Sequence, residues 1–184
     1  MRFTSLGSGS RGNAMLVADD ETCILVDCGL PIRLFLAALE RADTTIDEID
    51  AVFITHEHSD HIKALGSFLR RRAVPVYMTR GTAEASGNLD LSELQIVHDA
   101  RDVVVGGLMV RPVIVPHDAR EPCQYVIRSQ VRCDVNPREK SLGVLTDLGS
   151  CSAHVVDHFS ACDAYVLECN HCLLYTSPSP RDTG

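Results

Sequence analysis

Long apolar runs are missing from this chain. CILVDCGL and VVVGGLMV are among the longest, and both fall far short of the ~20 residues a membrane-spanning helix needs. The opening MRFTSLGSGSRGN lacks the apolar core of a signal peptide, so the reading places the protein in the cytoplasm, away from membranes. A regular cysteine framework is also missing. Cys23, Cys28, Cys123, Cys133, Cys151, Cys162, Cys169 and Cys172 stand at irregular spacings, mostly inside apolar runs where a small buried thiol is ordinary. The close pair Cys169 and Cys172 has no second pair to complete a zinc site. Positive charge is in deficit as well. With 17 Lys and Arg against 25 Asp and Glu, the formal charge of −8 opposes indiscriminate binding to nucleic acid. It does not exclude an anionic substrate, because a bound metal would neutralise some of those carboxylates. No repeat, low-complexity tract or linker precedes residue 172, and one domain over residues 1–171 is expected.

What is present is a succession of strand-like runs with helical patterns between them. RFTSL and NAMLVAD flank GSGSRG, whose glycines and serines suit a tight reversal, and CILVDCG reads as a third strand. In LPIRLFLAALERA, Pro31 stands near a helix start, with Ile32, Phe35, Leu36 and Leu39 on one face. DAVFIT is a strand buried on both sides. A helix capped by Ser59 is expected next, with Ile62, Leu65, Phe68 and Leu69 at helical spacing, and then the strand VPVYMT. Residues 95 to 130 turn to strand character, with Gly106-Gly107 as a hairpin turn and CQYVIRSQ as a following strand. SLGVLTDLG and DAYVLECN are further strands, separated by the short helix candidate SAHVVDHFSAC. Hairpins are more frequent than a doubly wound sheet would use, which points to an α/β domain with mixed sheets.

One stretch carries the chemistry. In FITHEHSDHI, His56, His58, Asp60 and His61 fall where a buried strand gives way to a helix start, so short polar side chains can converge on one place. Imidazoles and a carboxylate with no thiolate favour zinc, with manganese or iron as alternatives. His56 and His58 alternate as a strand end would, whereas Asp60 and His61 are adjacent and must point differently, so two ions can be served. Two more candidates stand at the ends of apolar runs, His117 in VIVPHDA and Asp147 in GVLTDLG. Glu57 is expected to be solvated or in a salt bridge, and His98, His154 and His158 to be ordinary imidazoles.

The ordered set Asp27, His56-x-His58-x-Asp60-His61, His117 and Asp147 resembles the metallo-β-lactamase superfamily over residues 1 to 171. RFTSLGSGSRGNAMLV, ILVDCGLPIR, THEHSDHIKALG, VPHDA, LGVLTDLG and LECNH together are similar to its YycJ/WalJ-like branch of DNA exonucleases. The resemblance implies an αββα sandwich of two mixed sheets with metals at one edge, left incomplete at the C-terminus of this chain. It implies His56, His58 and His117 on a first ion, Asp60 and His61 on a second, and Asp147 bridging. Water between two close ions would supply hydroxide for hydrolysis of a phosphodiester. Asp60 and His171 are the expected catalytic residues, with Asp27, Gly12, Asn13 and Asn170 beside the ligands or the substrate. Arg70, Arg71 and Arg72, with Lys63, are candidate contacts to the DNA backbone, or complement the negative end of their helix. Two alternatives stand open, a cyclic phosphodiesterase acting on a small phosphoribosyl cyclic phosphate, and a metal-binding chain without catalysis.

CLLYTSPSPRDTG, residues 172–184, does not read like the rest. The family continues with an acidic residue at position 172 and later a further histidine for the second metal. Here residues 172 to 182 match the translation of a transposase adapter used in preparing sequencing libraries, and a foreign tail is expected. Without that histidine the chain should hold one divalent ion, zinc or manganese, more firmly than two.

Overall fold

The computed structural model describes residues 1–87, 89, 92–131 and 138–167. The expectations for Asn170, His171 and residues 172–184 lie outside the described residues. Among those described, no helix is long and apolar enough to cross a membrane.

Two mixed sheets face each other. The first carries, in spatial order, β1 (Arg2–Gly7), β2 (Ala14–Ala18), β3 (Cys23–Val26), β4 (Ala51–Phe53), β5 (Val76–Met78) and β6 (Leu94–Ile96). Hairpins make its first three strands antiparallel, and crossovers make β3 to β6 parallel. The second sheet runs β11 (Ala164–Leu167), β10 (Arg138–Leu145), β9 (Cys123–Val131), β8 (Leu108–Ile114) and β7 (Val103–Val105), antiparallel except for the β10–β11 pair.

Strand alternation assigns the layers. All five residues of β2 are buried because both of its faces are covered. Met15 and Val17 enter the core between the sheets, with Phe53, Tyr125 and Leu142. Ala14 and Leu16 enter a second core, with Phe35 and Leu39 of α1 (Ile32–Arg41) and Phe68 of α3 (Leu65–Leu69). A third core sets Val155 and Phe159 of α5 (Ala153–Phe159) on Val113, Val115 and Val126 of the second sheet. The order is helix, sheet, sheet, helix. Phe53 stacks on Tyr77 of its own sheet with centroids 4.5 Å apart and meets Tyr125 of the other sheet edge-on at 5.5 Å.

Three local expectations need correction. The helix capped by Ser59 is two short helices, α2 (Ser59–Ile62) and α3, and the N-cap is His58. The break lies at residues 63–64, where the Ala64 N–H leaves the helical ladder and donates to Cys28 C=O at 2.9 Å. Leu36 does not share the buried face of α1, which consists of Phe35, Ala38 and Leu39. An additional helix, α4 (Arg80–Ala85), follows β5. Its RGTAEA has no large apolar residue to set a period, and it forms on the Thr79 cap, whose hydroxyl accepts from Thr82 N–H at 3.3 Å.

Candidate metal centre

Strand ends of both sheets deliver the side chains. Past β4 the chain carries Thr55, His56 and His58, past β8 it carries His117, and past β10 it carries Asp147. His56 and His61 are 1% exposed, so their ring nitrogens must find partners in the interior. His56 Nε2 lies 3.0 Å from His58 Nδ1, and the His117 ring centroid is 4.8 Å from that of His56 and 5.2 Å from that of His58. One ligand atom from each of these three residues lies within 4.8 Å of the others. His56, His61 and Asp147 form a second such group, so His56 belongs to both. Asp60 stands at its rim, with Oδ2 3.6 Å from His61 Nε2.

Among the described residues, two buried atoms of these side chains, His117 Nε2 and Asp147 Oδ2, have no hydrogen-bond partner. Asp147 Oδ2 does lie 2.9 Å from His61 Nε2, in range of an ion pair. Imidazole and carboxylate atoms gathered this closely in two groups fit cations. Imidazoles and carboxylates suit zinc, manganese or iron in the divalent state. Electrostatics agree. Burial, together with the neighbouring His61, His58 and His117, pushes His56 down to about 3, so its ring is neutral and its lone pair available. For His61, burial acts downward but is outweighed by Asp27 and Asp147, and the metal-free ring is raised to about 10. A cation at Nε2 would take the place of that proton. His61 in turn holds the Asp147 carboxyl below its usual range.

The ring orientations are set from behind. Asp27, at the end of β3, sits at φ 59, a left-handed conformation that aspartate tolerates better than most residues. Its Oδ2 lies 2.8 Å from His61 Nδ1. Thr55 N–H donates to Asp27 Oδ1 at 2.9 Å, and Thr55 Oγ1 lies 3.0 Å from both Asp27 oxygens and 3.0 Å from His56 Nδ1. One carboxylate thus orients His61 directly and His56 through a hydroxyl, and turns both Nε2 atoms toward the cluster. Thr55 was not singled out from the sequence. Its signal was its position directly before His56 at a buried strand end.

The GSGSRGN loop lies against this site. Asn13 N–H donates to Asp60 C=O at 2.7 Å, Gly29 N–H to Asn13 C=O at 2.9 Å, and Cys28 N–H to His61 C=O at 2.7 Å. Only glycines allow so close an approach. A Cβ on Gly29 would lie 1.6 Å from Asp60 O, and Gly12, at φ +139, would press a Cβ to 2.5 Å from Gly29 O. Gly9 N–H donates to Asn13 Oδ1 at 2.8 Å, which aims Nδ2 inward, 2.9 Å from His61 Nε2 and 3.3 Å from Asp60 Oδ2.

The remaining predicted residues fall outside the cluster. Glu57 is half-buried and has no salt bridge among the described residues. Its Oε1 accepts from the backbone N–H of Arg120 at 2.6 Å, because the loop after His117 needs acceptors for its amides. Arg70 donates to Ser67 Oγ at 3.0 Å, Arg71 to Ser67 C=O at 2.9 Å and Arg72 to Ile49 C=O at 3.3 Å, while Lys63 Nζ reaches Arg11 C=O at 3.0 Å. His154 pairs with Asp99 at 3.1 Å and packs on His158, 4.7 Å between centroids, on α5.

Comparison with known proteins adds a family, two relatives and a solved structure of similar fold. The profile of the metallo-beta-lactamase superfamily matches residues 7–149. Exodeoxyribonuclease YycJ of Bacillus anthracis is 34% identical over 93% of this chain and 63% of its own length. Exodeoxyribonuclease WalJ of Streptococcus pneumoniae is 29% identical over 92% of this chain and 62% of its own. The chain therefore spans less than two thirds of these relatives. Among solved structures, Zn(2+)-bound PqqB from Methylobacterium extorquens superposes with a TM-score of 0.72 over 91% of this chain and 72% of that one, at 18% identity. That likeness is one of fold.

Proposed function

The chain belongs to the metallo-beta-lactamase superfamily, and on that premise we propose that it is the ligand-bearing part of a metal-dependent phosphodiester hydrolase acting on DNA as an exonuclease. One observation carries the hydrolase reading: four imidazoles and Asp147 gather in two groups that share His56, each with its ligand atoms within 4.8 Å of one another. His56, His58 and His117 would hold one ion, and His61, Asp60 and Asp147 the other. Divalent ions there supply a nucleophile from water near neutral pH and neutralise charge on a phosphodiester. The chain's own residues do the rest. Asp27 and Thr55 hold the ring protons of His61 and His56 on Nδ1, away from the ligand face. Asp60 is placed to accept a hydrogen bond from the attacking water. The Asn13 amide, locked by Gly9, would hold the Asp60 carboxylate beside the ligands.

Similarity to two named exodeoxyribonucleases along more than nine tenths of the chain supports DNA as substrate. A small cyclic phosphodiester is the second reading. It is favoured by the engagement of Arg70, Arg71 and Arg72 with Ser67 and Ile49, which gives the guanidinium groups partners other than a DNA backbone. Linear duplex DNA, covalently closed circular DNA and a cyclic ribose phosphate, each offered with manganese and then zinc, separate the readings. Nucleotide release from linear ends alone is expected. Turnover of the cyclic phosphate with intact DNA would replace the DNA reading, and no turnover of any substrate would leave a metal-binding chain without catalysis.

A further inference from the structure

Gln124 is 0% exposed, in a strand segment, CQYVI, whose other side chains are apolar or aromatic. A primary amide buried to that extent requires partners, and those it has are main-chain groups beside a metal-ligand candidate. Gln124 Oε1 accepts from Thr146 N–H at 3.1 Å and from Thr146 Oγ1 at 3.4 Å, while Nε2 donates to Asp147 C=O at 3.2 Å. The backbone ladder explains why a side chain is needed. Pairing between β9 and β10 runs to Tyr125 opposite Val144. Beyond it the chain leaves β9 to carry Asp147 to the site, so residues 146 and 147 have no ladder partner on β9. The Gln124 amide, with its acceptor and its donor group at opposite sides in one plane, continues the ladder for both residues.

The neighbours of Gln124 tie the same strand to the other half of the centre. Cys123 N–H donates to Thr55 C=O at 3.0 Å, directly before His56, and Tyr125 Oη donates to Ile54 C=O at 2.6 Å. We propose that Gln124 is a positioning residue for Asp147: three consecutive residues, Cys123, Gln124 and Tyr125, set the Asp147 arm of one sheet at a defined distance from the His56 arm of the other. The inference rests on the reading of Asp147 as a metal ligand. It assigns no contact between Gln124 and metal or substrate.

Replacing Gln124 with methionine keeps volume and burial but leaves Thr146 N–H and Asp147 C=O without their partner. Gln124→Glu keeps the acceptor for Thr146 and sets a second oxygen against the Asp147 carbonyl. Zinc affinity of the metal-stripped chain, by calorimetric titration with a competing chelator, is the measurement, alongside thermal unfolding with and without zinc. Loss of an outer partner of a metal ligand lowers affinity by roughly 10–100-fold, and that range is expected for Gln124→Met, with a smaller loss for Gln124→Glu. The zinc-induced rise in Tm should shrink in both, a readout that general destabilisation of the metal-free chain would not move. Parent-like zinc affinity in a folded Gln124→Met chain overturns the inference. Where that variant does not fold, Gln124→Glu decides by the same criterion. A parent chain that binds no zinc removes the metal reading and this inference together. A parent that binds zinc but cleaves no phosphodiester removes only the proposed activity.

Discussion

On the side of the first sheet, His56, His58, Asp60 and His61 come from six consecutive residues and are clamped by backbone: Asn13, Cys28 and Gly29 exchange hydrogen bonds with or beside them at 2.7 to 2.9 Å. On the side of the second sheet, His117 and Asp147 come from separate loops. Those loops are joined to each other by a hydrogen bond from Gly149 N–H to Pro116 C=O at 2.8 Å. The first half is close-packed main chain with two fully internal rings. The second consists of two arms, and His117 Nε2 and Asp147 Oδ2 at their ends have no hydrogen-bond partner among the described residues. Damage to the clamped half should therefore cost stability and metal binding together, whereas damage to the arms should cost metal binding first.

The sharpest way to break that contrast is Gly29→Ala. Its Cβ would meet backbone atoms of residues 60 and 61, which cannot turn aside as a side chain would. A stability loss of about 3 kcal/mol or more is expected in chemical denaturation, at the upper end of overpacking costs. A loss within error of zero would mean that the clamp is soft. Next in size is Asp27→Asn, which keeps the shape but removes the charge facing His61 Nδ1. Zinc affinity should fall by roughly 10–100-fold, as read by chelator competition. Unchanged affinity would show that the His61 ring needs no anion behind it.

Thr55→Val is expected to do less, about a tenfold loss of affinity at the low end of the same range. It removes only the link from Asp27 to His56, while Thr55→Ser should restore most of it. Equal defects in both variants would indicate a packing effect of the lost methyl rather than the hydroxyl. Smallest is Gly149→Ala on the arm side. Its Cβ would lie 2.9 Å from Pro116 O, a backbone atom that must shift, though by far less than the 1.6 Å approach at Gly29 demands. About 1 kcal/mol of stability is expected, with zinc affinity more affected than Tm of the metal-free chain. The reverse order would place the second-sheet arms among the rigid parts of the fold.

The same division explains what could be read in advance. His56, His58, Asp60 and His61 were legible because their spacing is local and their residue types are rare together in a loop. The strands that carry His117 and Asp147 were legible from apolar runs that end in a candidate ligand. The helix break at residues 63–64 was not, because the acceptor of Ala64 N–H is Cys28, remote in sequence. Glu57 was misread for the same reason: its partner is an amide of the loop that follows His117.

By itself the sequence determined the alternation that makes two buried sheets, the glycines that let Asn13 and Asp60 approach, and the types of donor offered to a metal. These are properties of individual residues and of periods two and 3.6, written along one dimension. Only the tertiary structure decided that His56 belongs to both ligand groups, that Thr55 joins its ring to Asp27, and that Gln124 continues a ladder toward Asp147. Each is a hydrogen-bond or ligand geometry set to within a few tenths of an ångström by packing of one sheet on the other, and no spacing along the chain encodes a distance across a core.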